Sequence, residues 1–325
     1  MNRFIKLNRC DSFSKMSTHD VFELINKLKK FKLQYRRDIK IPCDITFGIE
    51  IEFENAEFEK VKEYLKEEKP DWKIVREECI QQIKDEKLLG GEVVSPILRN
   101  KANYWQDIKD LCLKLKELQA KTSGYTAGHI HIGTNIIGEN KLYWYNLIKL
   151  WTLYEHVIYR FGYGTDKKER DAILDYAPPV ASDFKKKISL IGKYVNDDQV
   201  NYIDFLKKVI LSDYHGIHFF DVGRLNKDTI EVKCPNGTVE ELIWQNNINF
   251  FTKFIKFATK VDPYLFDKKL DNHNIKSFDS YNYINLKDAL DLVDLVFDNN
   301  YDKVCFLKQY LKVTSPKILR KKDIF

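Results

Sequence analysis

The chain has 325 residues, 44% of them hydrophobic and 31% charged, with a formal net charge of +6. That balance supplies a substantial core and excludes a disordered chain, and no apolar run is long enough for a membrane span. An N-terminus without a signal-peptide apolar region and six dispersed cysteines without a C-x-x-C pair point to a cytoplasmic protein with reduced thiols, rather than a disulfide framework or a cysteine zinc site.

Residues 18–36 carry Val21, Phe22, Leu24, Ile25 and Leu28 at helical spacing behind Ser17 or Thr18 as the N-cap. A strand over 44–54 follows, then a helix over 56–68 that Pro70 ends. Strands are expected at 72–80 and 89–96, and a helix over 102–120 with Trp105, Ile108, Leu111, Cys112, Leu115 and Leu118 on one side. Ser123-Gly124 turns into a strand at 128–134, and a helix rich in Trp and Tyr covers 141–161. Residues 162–184 read as a long loop with Pro178-Pro179 near its end. Helices near 184–192 and 199–212 precede strands at 216–222 and 229–234, which the 223–228 turn joins as a hairpin, and a helix over 239–260 closes the region. The remainder, 262–325, reads as mostly helical. Strands interrupted by long helices without strict alternation predict an α+β fold, a mainly antiparallel sheet with helices covering one face. The expected organisation is an N-terminal helical extension over 1–43, a core over 44–260 and a C-terminal helical segment over 261–325.

Four segments carry chemistry. In the strand at 44–54, alternation puts Ile45, Phe47, Ile49, Ile51 and Phe53 on one face and Glu50, Glu52 and Glu54 on the other, beside Gly48. Carboxylates roughly 7 Å apart on one strand face repel each other, a cost that a bound cation meets; a solvated acidic edge is the alternative. Gly90-Gly91-Glu92-Val93-Val94 places Glu92 on a β-branched strand after two glycines that would let a ligand approach. Gly128-His129-Ile130-His131-Ile132-Gly133 sends both imidazoles to one face, suited to Mg²⁺ or Mn²⁺ only as minority ligands among oxygens, with tetrahedral zinc as the chemical competitor. In Thr229-Ile230-Glu231-Val232-Lys233 a carboxylate and an ammonium share a face, either as a cross-strand ion pair or as a metal ligand beside a phosphate clamp.

The ordered set GIEIEFE, GGEVVSP, GHIHIG and R-x4-TIEVK-x-PNGT resembles the amidoligase family, in the carboxylate–amine ligase superfamily of glutamine synthetase and glutamate–cysteine ligase, over roughly residues 44–260. The resemblance implies a curved antiparallel sheet forming a glutamine synthetase-like funnel, with ATP and two or three Mg²⁺ or Mn²⁺ ions. It implies Glu50, Glu52, Glu92, His129 and Glu231 as metal ligands and His131 near the phosphates. Arg224 and Lys233 would hold the γ-phosphate and the charge developing in transfer. Lys233 stands where relatives usually carry Arg, so a paired fork becomes a point charge. Arg170 and Tyr176 resemble, loosely, a substrate-binding segment. Glu77-Glu78-Cys79 stands where relatives often show Asp-x-Ser. The activity implied is ATP-dependent ligation of a carboxylate to an amine through an acyl phosphate, the substrates being small molecules, peptides or proteins. A phosphagen-type phosphotransferase and a catalytically inactive nucleotide-binding regulator are the alternatives; a nucleic-acid module rests on basic charge alone, without a dense Lys/Arg tract interleaved with aromatics.

Overall fold

A computed structural model describes residues 6, 7, 9–209, 215–219, 221–225, 227–262 and 264–312. Helix α1 (Thr18–Lys30) opens it, N-capped by Ser17, whose Oγ accepts the Asp20 N–H at 3.2 Å. The helix ends at Lys30 and not at 36. Beyond Phe31 the chain is drawn off to bridge other elements: the Tyr35 hydroxyl donates to the Trp105 carbonyl, and Arg36 donates its N–H to Gln245 Oε1 while its Nη1 lies 2.9 Å from Asp302.

Strand β1 (Thr46–Glu57) leads into α2 (Phe58–Glu68), then β2 (Lys73–Val75), β3 (Gln82–Lys84), β4 (Lys87–Val94) and the two-residue β5 (Leu98–Arg99). The expected strand at 72–80 is short, because the chain turns into a 3-10 helix at Glu78–Ile80. The β3–β4 hairpin is an addition to the sequence reading. Asp85 and Glu86 both have positive φ, 52° and 66°, the backbone of a type I′ turn, although neither is the glycine that usually announces one. After α3 (Ala102–Glu117) comes β6 (Gly128–Gly133), then α4 (Lys141–Gly162). The 162–184 stretch holds a short helix, α5 (Ile173–Tyr176), and the start of α6 (Ala181–Val195); α7 (Tyr202–Val209) follows, and the rest of the helix expected to 212 lies outside the described residues. Strands β7 (Ile217–His218) and β8 (Thr229–Val232) form the expected hairpin, with β7 much shorter than 216–222. Helix α8 (Glu241–Ala258) precedes the tail helices α9 (Asp267–Asp271), α10 (Leu286–Val296) and α11 (Asn300–Leu311).

The eight strands make one antiparallel sheet in the order β2-β4-β1-β6-β8-β7, with β3 beside β4 and β5 beside β1. Its apolar face begins with Phe47, Ile49, Ile51, Ile130, Ile132, Ile230 and Val232, all buried, and joins one core with α1 and the C-terminal helices. Phe47 stacks on Trp105 of α3 with centroids 5.3 Å apart. Helix α4 is buried nearly all round, so its polar side chains need internal partners. Glu155 finds four: the Val180 and Ala181 N–H groups that open α6, the Trp151 indole and the Tyr281 hydroxyl. Among the described residues no helix is long and apolar enough to cross a membrane.

Candidate metal and nucleotide site

Pairing of the strands decides which carboxylates and imidazoles meet. On the polar face, Glu52 of β1 lies opposite Glu92 of β4, and Glu50 lies opposite His129 of β6. His131 sits across from Gly48 on one side and Glu231 of β8 on the other, and Glu231 in turn faces His218 of β7. Because all these positions have one strand parity, their side chains project the same way and form a band across five strands.

Glu50 is the hub. Its Oε2 lies 2.9 Å from His129 Nδ1 and its Oε1 3.0 Å from His131 Nε2. Glu231 Oε2 meets His218 Nδ1 at 3.2 Å, while its Oε1 stands 3.7 Å from His131 Nε2 and 3.8 Å from both His129 Nδ1 and Lys233 Nζ. Glu52 Oε2 accepts the Ala127 N–H at 2.6 Å, which fixes that carboxylate, and its Oε1 lies 3.9 Å from His129 Nε2.

The electrostatics divide the carboxylates into two kinds. Burial opposes the charge on Glu50, but hydrogen bonds from His129 and His131 hold its pKa well below the ordinary carboxylate range. Burial likewise works against Glu231, yet the His218 hydrogen bond and the nearby imidazoles bring it down to about 2. Glu92 goes the other way. Burial, then the Glu50 charge, push it up to about 8, so in the metal-free protein it keeps a proton that Glu50 does not. His129 is lowered by burial but raised more by the carboxylates of Glu50, Glu52 and Glu231.

Three overlapping sets could each hold a cation: Glu50, His129 and Glu231; Glu52, Glu92 and His129; and His131, Asp221 and Glu231, with ligand atoms in each set within 4.8 Å of one another. The sequence reading brought five of these residues forward as ligands, and the structure gathers all five. It missed His218 and Asp221. In the strand expected over 216–222 these two residues fall at opposite parities, so alternation marks no polar face there.

The remaining residues are placed as follows. Lys233 extends from the end of β8 beside Glu231, with its side chain 17% exposed. Arg224 lies in the β7–β8 connection, half-exposed, with Nη1 3.4 Å from Asp221 Oδ1. Arg170 lies inside the fold, close enough to Glu52 for the two charges to interact. It is buried, and its guanidinium donates to the Pro235 carbonyl at 2.7 Å and the Lys233 carbonyl at 3.0 Å, so it props the end of β8 from within. Tyr176 is exposed, with its hydroxyl 2.9 Å from Cys79 Sγ. Nor do Gly90 and Gly91 open a path for a ligand. A Cβ on Gly90, whose φ is +94°, would stand 2.8 Å from the Phe53 carbonyl oxygen, and one on Gly91 3.0 Å from the Phe58 ring. Both glycines let β4 lie close against β1 and α2.

The donor set fits a hard divalent ion. Five carboxylates outnumber two imidazoles, the oxygen-rich composition that Mg²⁺ and Mn²⁺ prefer, and nothing in the three sets supplies the thiolates of a structural zinc site. No curated protein and no solved structure matches the chain. The model of the family described as "Putative amidoligase enzyme" matches residues 44–255, which span β1 to all but the last turn of α8 and thus every strand of the site. With two thirds of its length covered by that match and the four motif-bearing strands assembled in one sheet, the chain belongs to the amidoligase family.

Proposed function

We propose that the protein is an ATP- and divalent-metal-dependent carboxylate–amine ligase, and that its sheet is the floor of a glutamine synthetase-like funnel. The observation that carries this is the band of three overlapping ligand sets on one sheet face, bordered by the cationic side chains of Arg224 and Lys233. Ligases need that combination: a carboxylate is a poor electrophile until phosphorylated, and phosphoryl transfer is mostly positioning and charge neutralisation.

Glu50, Glu52, Glu92, Glu231 and Asp221, with His129, His131 and His218, would hold two or three Mg²⁺ or Mn²⁺ ions. Bound there, the ions neutralise the triphosphate and draw electron density from the transferring group. Arg224 and Lys233 meet the charge on the γ-phosphoryl oxygens. The substrate carboxylate oxygen forms a bond to the γ-phosphorus as the bond to ADP breaks, giving an acyl phosphate. The amine nitrogen then bonds to the acyl carbon, a proton leaves the nitrogen, and phosphate departs. Glu52 stays oriented throughout by the Ala127 N–H, and Arg170 keeps the Lys233 backbone in place.

The test is ADP release with ATP and Mg²⁺ against panels of acids and amines, with hydroxylamine present in parallel. A ligase releases ADP only with an acid and yields a hydroxamate when hydroxylamine intercepts the acyl phosphate. ADP release with a guanidino acceptor and no hydroxamate would instead assign phosphotransfer. No binding of nucleotide at millimolar ATP and metal would sink both and leave a catalytically inactive protein.

A further inference from the structure

Asp221 is already held by two long cationic side chains. Arg224 Nη1 approaches its Oδ1 at 3.4 Å and Lys227 Nζ its Oδ2 at 3.3 Å, while its own ligand atom lies within 4.8 Å of those of His131 and Glu231. The same carboxylate therefore faces two claimants, an ammonium and a metal ion. Lys227 was not singled out by sequence or by family resemblance. Partial burial works against its charge, but the Glu50, Glu231 and Asp221 carboxylates together raise its pKa.

The loop that carries Lys227 is pinned. Asp228 Oδ1 accepts the Gly223 N–H at 2.7 Å, its Oδ2 accepts the Thr134 hydroxyl at 2.5 Å, and its carbonyl accepts the Thr134 N–H at 3.1 Å. Gly223 has φ +78°, a backbone conformation that a residue with a side chain rarely adopts. With the backbone tied at both ends, rearrangement falls to the long side chains. Lys227 and Arg224 are each about half exposed, so both can swing without unpacking the core.

We propose that Asp221 is an exchangeable ligand and Lys227 a positioning residue that moves with it. In the metal-free protein Lys227 neutralises Asp221; a divalent ion entering the His131, Asp221 and Glu231 set takes the carboxylate and displaces the ammonium, which then turns to the phosphates of the incoming nucleotide. A doubly charged ion at coordination distance outcompetes one ammonium at 3.3 Å, and once the ion is bound Lys227 is repelled by it. The exchange would order the site, metal first and nucleotide second. This inference rests on the ligase reading only in taking the ligand band to be a metal and nucleotide site.

The experiment is a pair of titrations on the full chain: Mn²⁺ without nucleotide, read by the electron paramagnetic resonance of free Mn²⁺, and MgATP by calorimetry. Lys227→Met should bind Mn²⁺ about five-fold more tightly, the upper end for relief of a half-exposed ion pair, and MgATP roughly ten-fold more weakly. Lys227→Arg should stay near wild type in both, and Lys227→Gln should repeat the Met result. A purely structural lysine would move the two affinities together or not at all, and either outcome overturns the exchange while leaving the ligase reading intact. Wild-type protein that binds neither Mn²⁺ nor MgATP overturns both.

Discussion

Glu92→Gln should stabilise the metal-free protein and abolish the stabilisation that metal brings. In the folded chain burial and the Glu50 charge push the Glu92 carboxyl from its ordinary 4.5 up to about 8. An acid whose folded pKa is raised contributes full stability below its unfolded pKa and loses it as pH rises through the folded value, because between the two the native state holds a proton that the unfolded chain has released. The window is thus about pH 4.5 to 8. At pH 7 the unfolded chain has been gaining for two and a half pH units, which at 1.36 kcal/mol each costs the native state about 3 kcal/mol. Glutamine preserves the shape and removes the titration. For a chain of this length the gain corresponds to roughly 4–5 °C in Tm. His129, whose pKa is also raised on balance, adds slope of the same sign, so the variant should flatten the pH dependence without erasing it. Thermal melts in EDTA from pH 5 to 8.5 measure this, and repeating them with Mn²⁺ should reverse the order, since a neutral amide is a poor ligand. A metal-free Gln variant no more stable than wild type at pH 8 would refute the argument that these carboxylates are held together at a cost.

Substitutions at three further positions separate chemistry from architecture. Lys233→Met should abolish ATP turnover with little change in Tm, because its 3.8 Å approach to Glu231 is worth at most ~1 kcal/mol, whereas Lys233→Arg should preserve or raise turnover by supplying two donors in place of one; assaying both activities and melts on the same preparations checks it. Arg170→Met should behave oppositely, costing about 3 kcal/mol in urea unfolding, since the Pro235 and Lys233 carbonyls lose charged donors in a buried place. Gly90→Ala should cost at least about 1–3 kcal/mol from the positive φ alone, with the approach to the Phe53 carbonyl adding to it, and a urea midpoint shift measures the total.

What could be read in advance was whatever depends on alternation along a single strand. The partition of β1 into Phe47, Ile49, Ile51 and Phe53 on one side and Glu50 and Glu52 on the other follows from the period of two, and so do the paired imidazoles of β6 and the common face of Glu231 and Lys233. Register between strands has no such local code, yet register is what makes Glu50 the partner of both histidines. Local propensity failed wherever tertiary partners outbid it. The first helix stops at Lys30 because Tyr35 and Arg36 have better partners on three other helices, and Asp85-Glu86 turns a hairpin through a positive φ that Asp tolerates but Glu86 rarely adopts. Buried arginine is the most instructive case. In the sequence Arg170 sits in a charged loop and looks available to a substrate, but the structure buries its guanidinium against the Lys233 carbonyl and the Pro235 carbonyl, which also accepts the Gly128 N–H, and the planar fork reaches both from a single position. The residue nearest to chemistry on that loop by sequence therefore acts one step back, through the backbone of Lys233. The residues that border the site from the other side, Asp221 and Lys227, lie in a connection whose pattern is too short to declare itself. A site made of strand-borne ligands is legible where alternation gathers several polar side chains on one face: β1 and β6 do so, whereas His218 stands alone among the apolar residues of its face.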